Sequence, residues 1–231
     1  MSASGRSASL DLLKWLAIVS MVGDHLRYLW VDQDWLFITG RLAFPWFCLA
    51  IAANVARTSR IKRHYLYGFL MFSVVSELAY RWLDNGSSTL NVMPTLALGL
   101  LVAWGVHLRT RAASLLALVA VIVATAASPW LMYGLPGVLL PAALLVALRD
   151  GRLLWLAGLL AVAGNLTNNW LLQHPLQPVS LLVMFTAFVS VPLGLGLLRR
   201  KEPARIPPVG RWGWWFYPLH LALIKLARLL A

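Results

Sequence analysis

The sequence predicts an all-α, polytopic membrane bundle of about nine transmembrane helices, and two observations carry that reading. The first is composition. The 231-residue chain is 60% hydrophobic and 12% charged, with a mean hydropathy of +0.74, whereas a soluble domain is about 45–50% apolar and about 25% charged. No soluble interior hides that much apolar surface, so lipid is the expected solvent. The second is punctuation: turn and breaker signals recur between apolar runs of about twenty residues, the length that spans a bilayer. Nine such runs use about 180 residues. Too little remains for an extramembrane domain, so 1–231 reads as one domain.

The expected spans are 10–30, 35–56, 64–83, 90–107, 112–127, 130–148, 153–172, 177–198 and 212–230. The first is apolar despite Asp11, Lys14, Asp24 and His25, and runs to Trp30. It lacks a cleavage signature, so a removable signal peptide is not expected. The second runs from Trp35 to the basic cluster at Arg57, and the third stops before the Asn85-Gly86 turn. The fourth lies between that turn and Arg109. Only Ser128 and Pro129 part the fifth from the sixth; a proline lacks the backbone donor and disfavours helix at the residue before it. Asp150-Gly151, His174-Pro175 and Pro207-Pro208 close the sixth, seventh and eighth.

Charge orients the bundle. The net charge is +12, yet the basic residues form no single face for nucleic acid. Of the twenty, fourteen fall in alternate loops: Arg6; Arg57, Arg60, Lys62 and Arg63; Arg109 and Arg111; Arg149 and Arg152; Arg199, Arg200, Lys201, Arg205 and Arg211. The opposite loops hold Asp32, Asp34 and Asp84. The positive-inside rule therefore puts the N-terminus in the cytoplasm and the C-terminus outside, with Lys225 and Arg228 opposing weakly. Trp residues near span ends, such as Trp30, Trp82 and Trp130, read as interfacial belts. His64, His107 and His174 fall at loop edges and read as solvated. One cysteine, Cys48, excludes an intrachain disulfide and a multi-cysteine metal site. No histidine pair has metal-ligand spacing, so no metal is expected.

An ionisable residue at membrane depth costs about 3 kcal/mol or more and is a functional candidate. Lys14 and His25 are eleven residues apart, three helical turns and about 16 Å, so they share a face at different depths. Lys14 falls at the cytoplasmic entrance and the Asp24-His25 pair in the outer third. The plainer reading makes these residues interface markers and a far-end cap. Arg41, Glu77, Asn91, Tyr133, Asn165, Thr167 and Asn168 fall at the outer depth too, and together suggest a polar cavity. Glu77, Thr167 and Asn168 are equally well read as interhelical glue. Tyr217 and His220 share a face of the last span and can line the cavity from deeper.

A buried histidine beside a carboxylate can act as a general base, because the carboxylate fixes the tautomer and steadies the imidazolium. No serine nucleophile motif is present. Direct acyl transfer to an acceptor deprotonated by His25 needs none, and Arg41, Asn91 or Tyr217 could donate to a developing oxyanion. The cationic entrance suits an anionic carrier such as a coenzyme A derivative.

The stretch from Leu10 to His25, LDLLKWLAIVSMVGDH, followed by WLFITGRLAFPWF from Trp35 to Phe47, resembles the opening of the TraX family. The similarity continues through Asn91, Tyr133-Gly134 with Gly137, and Asn165-Leu166, and ends in Phe216-Tyr217-Pro218-Leu219-His220-Leu221. Lys14-x10-His25 is also similar to the Arg/Lys-x10-His motif of the acyltransferase-3 membrane acyltransferases. The family's prototype acetylates the N-terminal amine of F-type pilin. The resemblance implies a bacterial inner-membrane enzyme that takes acetyl from cytosolic acetyl-CoA to an extracytoplasmic acceptor. Carried over by residue, it implies that His25 is the catalytic base, supported by Asp24. Lys14, Arg41, Tyr217 and His220 become acetyl-CoA candidates, and Asn91, Tyr133 and Asn165 acceptor-side candidates. It does not transfer the acceptor: a pilin amine and a cell-surface glycan hydroxyl both fit. A proton-coupled transporter using Asp24, His25, Glu77 and His220 is the rival of another class, but the internal repeat common in transporters is not detectable.

Overall fold

A computed structural model of the chain describes residues 7–30, 32–200 and 206–230; Arg6, Lys201 and Arg205 lie outside them. Among the described residues the chain forms helices and turns and no strand. The α-helices are α1 (Ala8–Leu26), α2 (Asp34–Gly40), α3 (Ala43–Ala56), α4 (Arg63–Leu83), α5 (Val92–Leu108), α6 (Arg111–Ala127), α7 (Gly134–Arg149), α8 (Leu154–Asn165), α9 (Asn169–Gln173), α10 (Pro178–Arg199) and α11 (Trp212–Leu230). Each span expected from the sequence coincides with one of these helices or with a consecutive pair. Among the described residues three stretches are long and apolar enough to cross a membrane: Asp34–Ala56, Arg111–Trp130 and Pro178–Arg199. Val92–Leu108, Gly134–Arg149 and Gly151–Asn165 are apolar but shorter. With the hydropathy of the whole chain, these mark a membrane protein.

The departures from the expected boundaries have local causes. The 35–56 segment is interrupted between Gly40 and Ala43, because Pro45 offers no N–H to the carbonyl of Arg41 and its ring crowds that carbonyl. The chain tightens there, with Arg41 N–H donating to Ile38 O and Leu42 N–H to Thr39 O. The 130–148 segment begins later, at Gly134, after a 3₁₀ turn at Ser128–Trp130. Pro136 cannot donate to Met132 O, which accepts instead from Thr95 Oγ1 at 2.7 Å, and Tyr133 enters α7 in the left-handed region at φ +65°. The 153–172 segment breaks after Asn165, and Asn168 caps the short α9 through Trp170 N–H and Leu171 N–H. Finally, α1 stops at Leu26, where Tyr28 N–H and Leu29 N–H turn back to His25 O and Leu26 O. Asp24 and His25 thus occupy its last turn and not its interior.

The hub of the fold is α3, which carries no charged residue and buries eleven of its fourteen residues. A helix apolar on all sides belongs in the centre, and Ala43, Ala50, Ala52 and Ala53 let neighbours approach closely. Around it run α1, α11, α4, α5, α7, α8 and α10, each packed on the next, with α10 returning to α1. α6 stands outside this ring against α5 and α7, its buried residues being only Ala113, Ala120 and Ala124. Leu115, Leu118, Val119, Ile122 and Val123 of α6 face outward.

Loops converge at two ends. At one, His107 Nε2 donates to Thr58 O at 2.9 Å and its Nδ1 bonds Arg149, so His107 joins three loops as well as meeting solvent. Trp15 Nε1 donates to Pro207 O at 3.0 Å and Val209 N–H to Asp11 Oδ1 at 3.3 Å, bringing the 206–211 segment to the same end. At the other, Tyr28 Oη donates to Asp84 Oδ2 at 2.7 Å, and Leu90 N–H to Trp130 O at 2.8 Å. The described basic loops share the first end, and the acidic loops Asp32–Asp34 and Asp84 share the second.

Candidate active site

Asp24, Arg41 and Asn165 come together from α1, the break between α2 and α3, and α8. Asp24, on the last turn of α1, forms an ion pair with Arg41, which sits at the break between α2 and α3. Gly40 permits this approach, because a Cβ there would lie 2.5 Å from Asp24 Cβ and 2.7 Å from its carboxylate. The Arg41 guanidinium is buried; its Nε donates to Phe37 O at 3.1 Å and its Nη1 to Asn165 Oδ1 at 3.4 Å. Asn165 Nδ2 in turn donates to Ala161 O at 2.8 Å. Sequence reasoning missed two members. Arg27 Nε lies 3.7 Å from the same Asp24 oxygen, and the Phe37 ring lies 4.8 Å from the Arg27 guanidinium and 4.4 Å from that of Arg41. Helical spacing offered the signal, Arg27 lying three residues after Asp24 and Phe37 four before Arg41.

His25, one residue on, turns the other way. Its Nδ1 lies 2.7 Å from Nε2 of His220 on α11, and the rings stack with centroids 4.9 Å apart. His220 Nδ1 lies 2.9 Å from Phe216 O. Among the described residues no hydrogen bond joins Asp24 to His25, and none reaches His25 Nε2.

The acceptor-side candidates do not gather in one place. Asn91 is fully buried and its polar atoms are engaged: Nδ2 donates to Ser73 O at 2.7 Å and Glu77 Oε2 at 2.6 Å, while Oδ1 accepts from Met93 N–H at 2.9 Å. It caps α5 and ties it to α4. Tyr133 stacks on Phe44 with centroids 3.8 Å apart. Asn165 belongs to the Arg41 cluster.

A cavity of about 700 Å³ runs inside the sector bounded by α1, α3, α4, α5 and α11, within the size range of ligand sites. Lys14, Lys62, His64 and Arg211 line one end, and Met21, Val92, Met93 and Tyr217 the other. Its lining on α5 extends from Trp104 to Val92, about 18 Å along the axis. Between the ends the walls are apolar and aromatic, including Phe47, Phe69, Phe72 and Trp214. The Tyr217 ring is 6.4 Å from that of His25, and Met21 lies one turn before His25 on α1. Of the acetyl-CoA candidates, Lys14 and Tyr217 line this cavity, whereas Arg41 and His220 do not, and neither does His25. The aromatic wall gathers from α3, α4 and α11, far apart in sequence, and no local pattern announced it, whereas Lys62 and Arg211 come from the basic loops that the sequence itself marks as a cationic entrance. Among the described residues no group of three His, Cys, Asp or Glu side chains is placed to hold a metal ion.

No solved structure matches the chain significantly. Two curated relatives do. The chain is 42% identical over 67 residues to Protein TraX of Escherichia coli strain K12, 27% of either chain. It is 32% identical over 71 residues to a Protein TraX of Escherichia coli, 30% of this chain and 29% of that one. The matched stretches thus span less than a third of each relative. The family described as TraX protein matches residues 9–228, nearly every residue discussed above, and the chain belongs to the TraX family.

Proposed function

We propose that this chain is a transmembrane acetyltransferase of a bacterial inner membrane, moving acetyl from cytosolic acetyl-CoA to an extracytoplasmic acceptor with His25 as general base. The observation that carries the reading is the cavity, basic at one end and closing at the other on Tyr217, whose ring centroid is 6.4 Å from that of His25 behind it. A carrier with phosphate groups at one end and a slender acyl arm at the other has that shape and charge pattern. The phosphates would rest among Lys14, Lys62 and Arg211, where charge-assisted hydrogen bonds are strong, and the arm would pass between the aromatic walls. His25 Nε2 would take the acceptor's proton as the acceptor attacks the thioester carbonyl, then return it to the leaving thiolate. The acceptor is a pilin N-terminal amine, as the family resemblance implies, or a hydroxyl of a surface glycan. Comparing acetylation of cell-surface proteins and glycans by mass spectrometry, with and without the gene, names it. The reading fails if purified protein in liposomes neither binds acetyl-CoA nor transfers acetyl to any extract of surface material.

Nine crossings with a cytoplasmic N-terminus belong to this proposal, supported by the segregation of basic and acidic loops to opposite ends. Reporter fusions at Asp84 and Arg205 are expected to report opposite sides of the membrane; the same side from both would refute the crossing number.

Lys14 lines the basic end and is 3.7 Å from Asp11. Lys14→Glu replaces a cation by an anion beside that carboxylate and is expected to weaken acetyl-CoA binding by about 10–100-fold, the worth of a charged hydrogen bond. Calorimetry on purified protein measures it, with the melting temperature as the folding control. Unaltered affinity would remove Lys14 from the donor site.

A further inference from the structure

We infer that His220 is the positioning residue for the base: it sets the tautomer of His25 and holds the imidazolium that forms during transfer. The inference deepens the proposed acetyltransferase reading and rests on it. Phe216 O is a carbonyl and can only accept, so His220 carries its proton on Nδ1, 2.9 Å away. In a neutral imidazole the other nitrogen is then the acceptor. His220 Nε2 therefore accepts from His25 Nδ1, 2.7 Å away. His25 in turn carries its proton on Nδ1 and its lone pair on Nε2, the nitrogen with no hydrogen-bond partner among the described residues. A backbone carbonyl thus decides, through two rings, which atom of His25 can take a proton.

The alternative orienting group is elsewhere. Asp24 spends its carboxylate on Arg41 and has Arg27 beside it. A carbonyl and a neutral imidazole replace the carboxylate that usually sits behind a catalytic histidine. During transfer the proton from the acceptor goes to His25 Nε2, and the Nδ1–H bond to His220 then steadies the resulting cation. When His25 Nε2–H protonates the departing thiolate, both rings return to their starting tautomers. His220 is buried, and its ring also stacks on Phe216 at 5.2 Å, so its own orientation is fixed by packing as well as by the carbonyl.

The test compares His220→Phe, which keeps ring volume and loses the acceptor, with His220→Gln, whose amide oxygen can reach the place of Nε2. His220→Phe is expected to lower kcat by about 10²–10⁴-fold, the range of a misassigned or unsupported base, with KM for acetyl-CoA within about twofold because the carrier is gripped at the other end of the cavity. His220→Gln is expected to recover at least about tenfold of that kcat loss. A wild-type kcat in His220→Phe overturns the inference, as does a loss that Gln does not rescue, which marks a packing role. Ring-nitrogen NMR of wild-type protein labelled in histidine supplies a readout that needs no variant: a neutral His25 protonated at Nε2 also overturns it. If His25→Ala retains full transfer, the acetyltransferase mechanism itself fails; if His25→Ala is inactive while His220→Phe is unimpaired, only the role of His220 fails.

Discussion

His25→Ala is expected to lower acetyl transfer by about 10²–10⁴-fold, the contribution of a positioned general base, while leaving acetyl-CoA affinity within a factor of two to three. The separation follows from distance. His25 lies about 16 Å along α1 from Lys14, and the basic residues that would hold the carrier's phosphates line the far end of the cavity. A side chain that touches only the acyl end contributes little to ground-state binding, so its loss falls on the chemical step. Binding measured by calorimetry and transfer measured with labelled acetyl-CoA, both on protein in liposomes, decide it. Full activity in the alanine variant would refute the base; equal loss of binding and transfer would show that His25 holds the carrier.

Arg41→Leu is expected to be the most destabilising single change in the bundle, at about 3–5 kcal/mol, because breaking a buried ion pair leaves an uncompensated charge. The side chains of Arg41 and Asp24 are 8% and 14% exposed, and Arg41 also anchors Asn165 of α8 and the Phe37 carbonyl. Arg27, 36% exposed at 3.7 Å, offsets part of the loss and places it toward the lower figure. Adding Asp24→Asn to Arg41→Leu is expected to restore stability relative to the single variant, as coupled partners do. Denaturant unfolding in detergent measures both. An Arg41→Leu protein that unfolds with the wild type would remove the ion pair from the framework of the fold. Asp24→Asn alone is expected to lose activity only in step with stability, since its carboxylate braces α1 against α2 instead of touching the base.

Helix positions were legible in the sequence because apolar length and breakers act locally, and the misplaced boundaries have equally local causes in Pro45, Pro136 and Asn168. The segregation of charge was legible too, since it is a property of loops. Less legible was who touches whom. Asp24 and His25 are neighbours in sequence, which suggested a carboxylate–imidazole pair, but successive residues of a helix point about 100° apart. One therefore met α2 and the other α11. The His25–His220 contact joins positions 195 apart, and nothing in either helix alone encodes the meeting of their faces. Asn91 was misleading for a further reason. A buried polar residue at a helix start serves as well for a cap as for a ligand, and only the partners on Ser73, Glu77 and Met93 distinguish the two.

The outlying position of α6 ties the protein's working depth to the thickness of its membrane. From Arg111 to Trp130 this stretch is 20 residues long, about 30 Å, which matches the hydrocarbon of an average bilayer. Its ends carry a cation and an indole, side chains that prefer the two water–lipid boundaries. It is also locked to α5, where Gly105 faces Ala117 so closely that an added Cβ would come within 2.4 Å. A wall of the cavity on α5 therefore rides with a gauge that senses both leaflets. In a bilayer thinner than α6 the whole bundle must tilt or the lipid must stretch, and either response shifts Lys62 and Arg211 relative to the nearer phosphate layer. Lipid thickness thus sets how far the basic end of the cavity stands from the headgroups, without any change in the residues that line it.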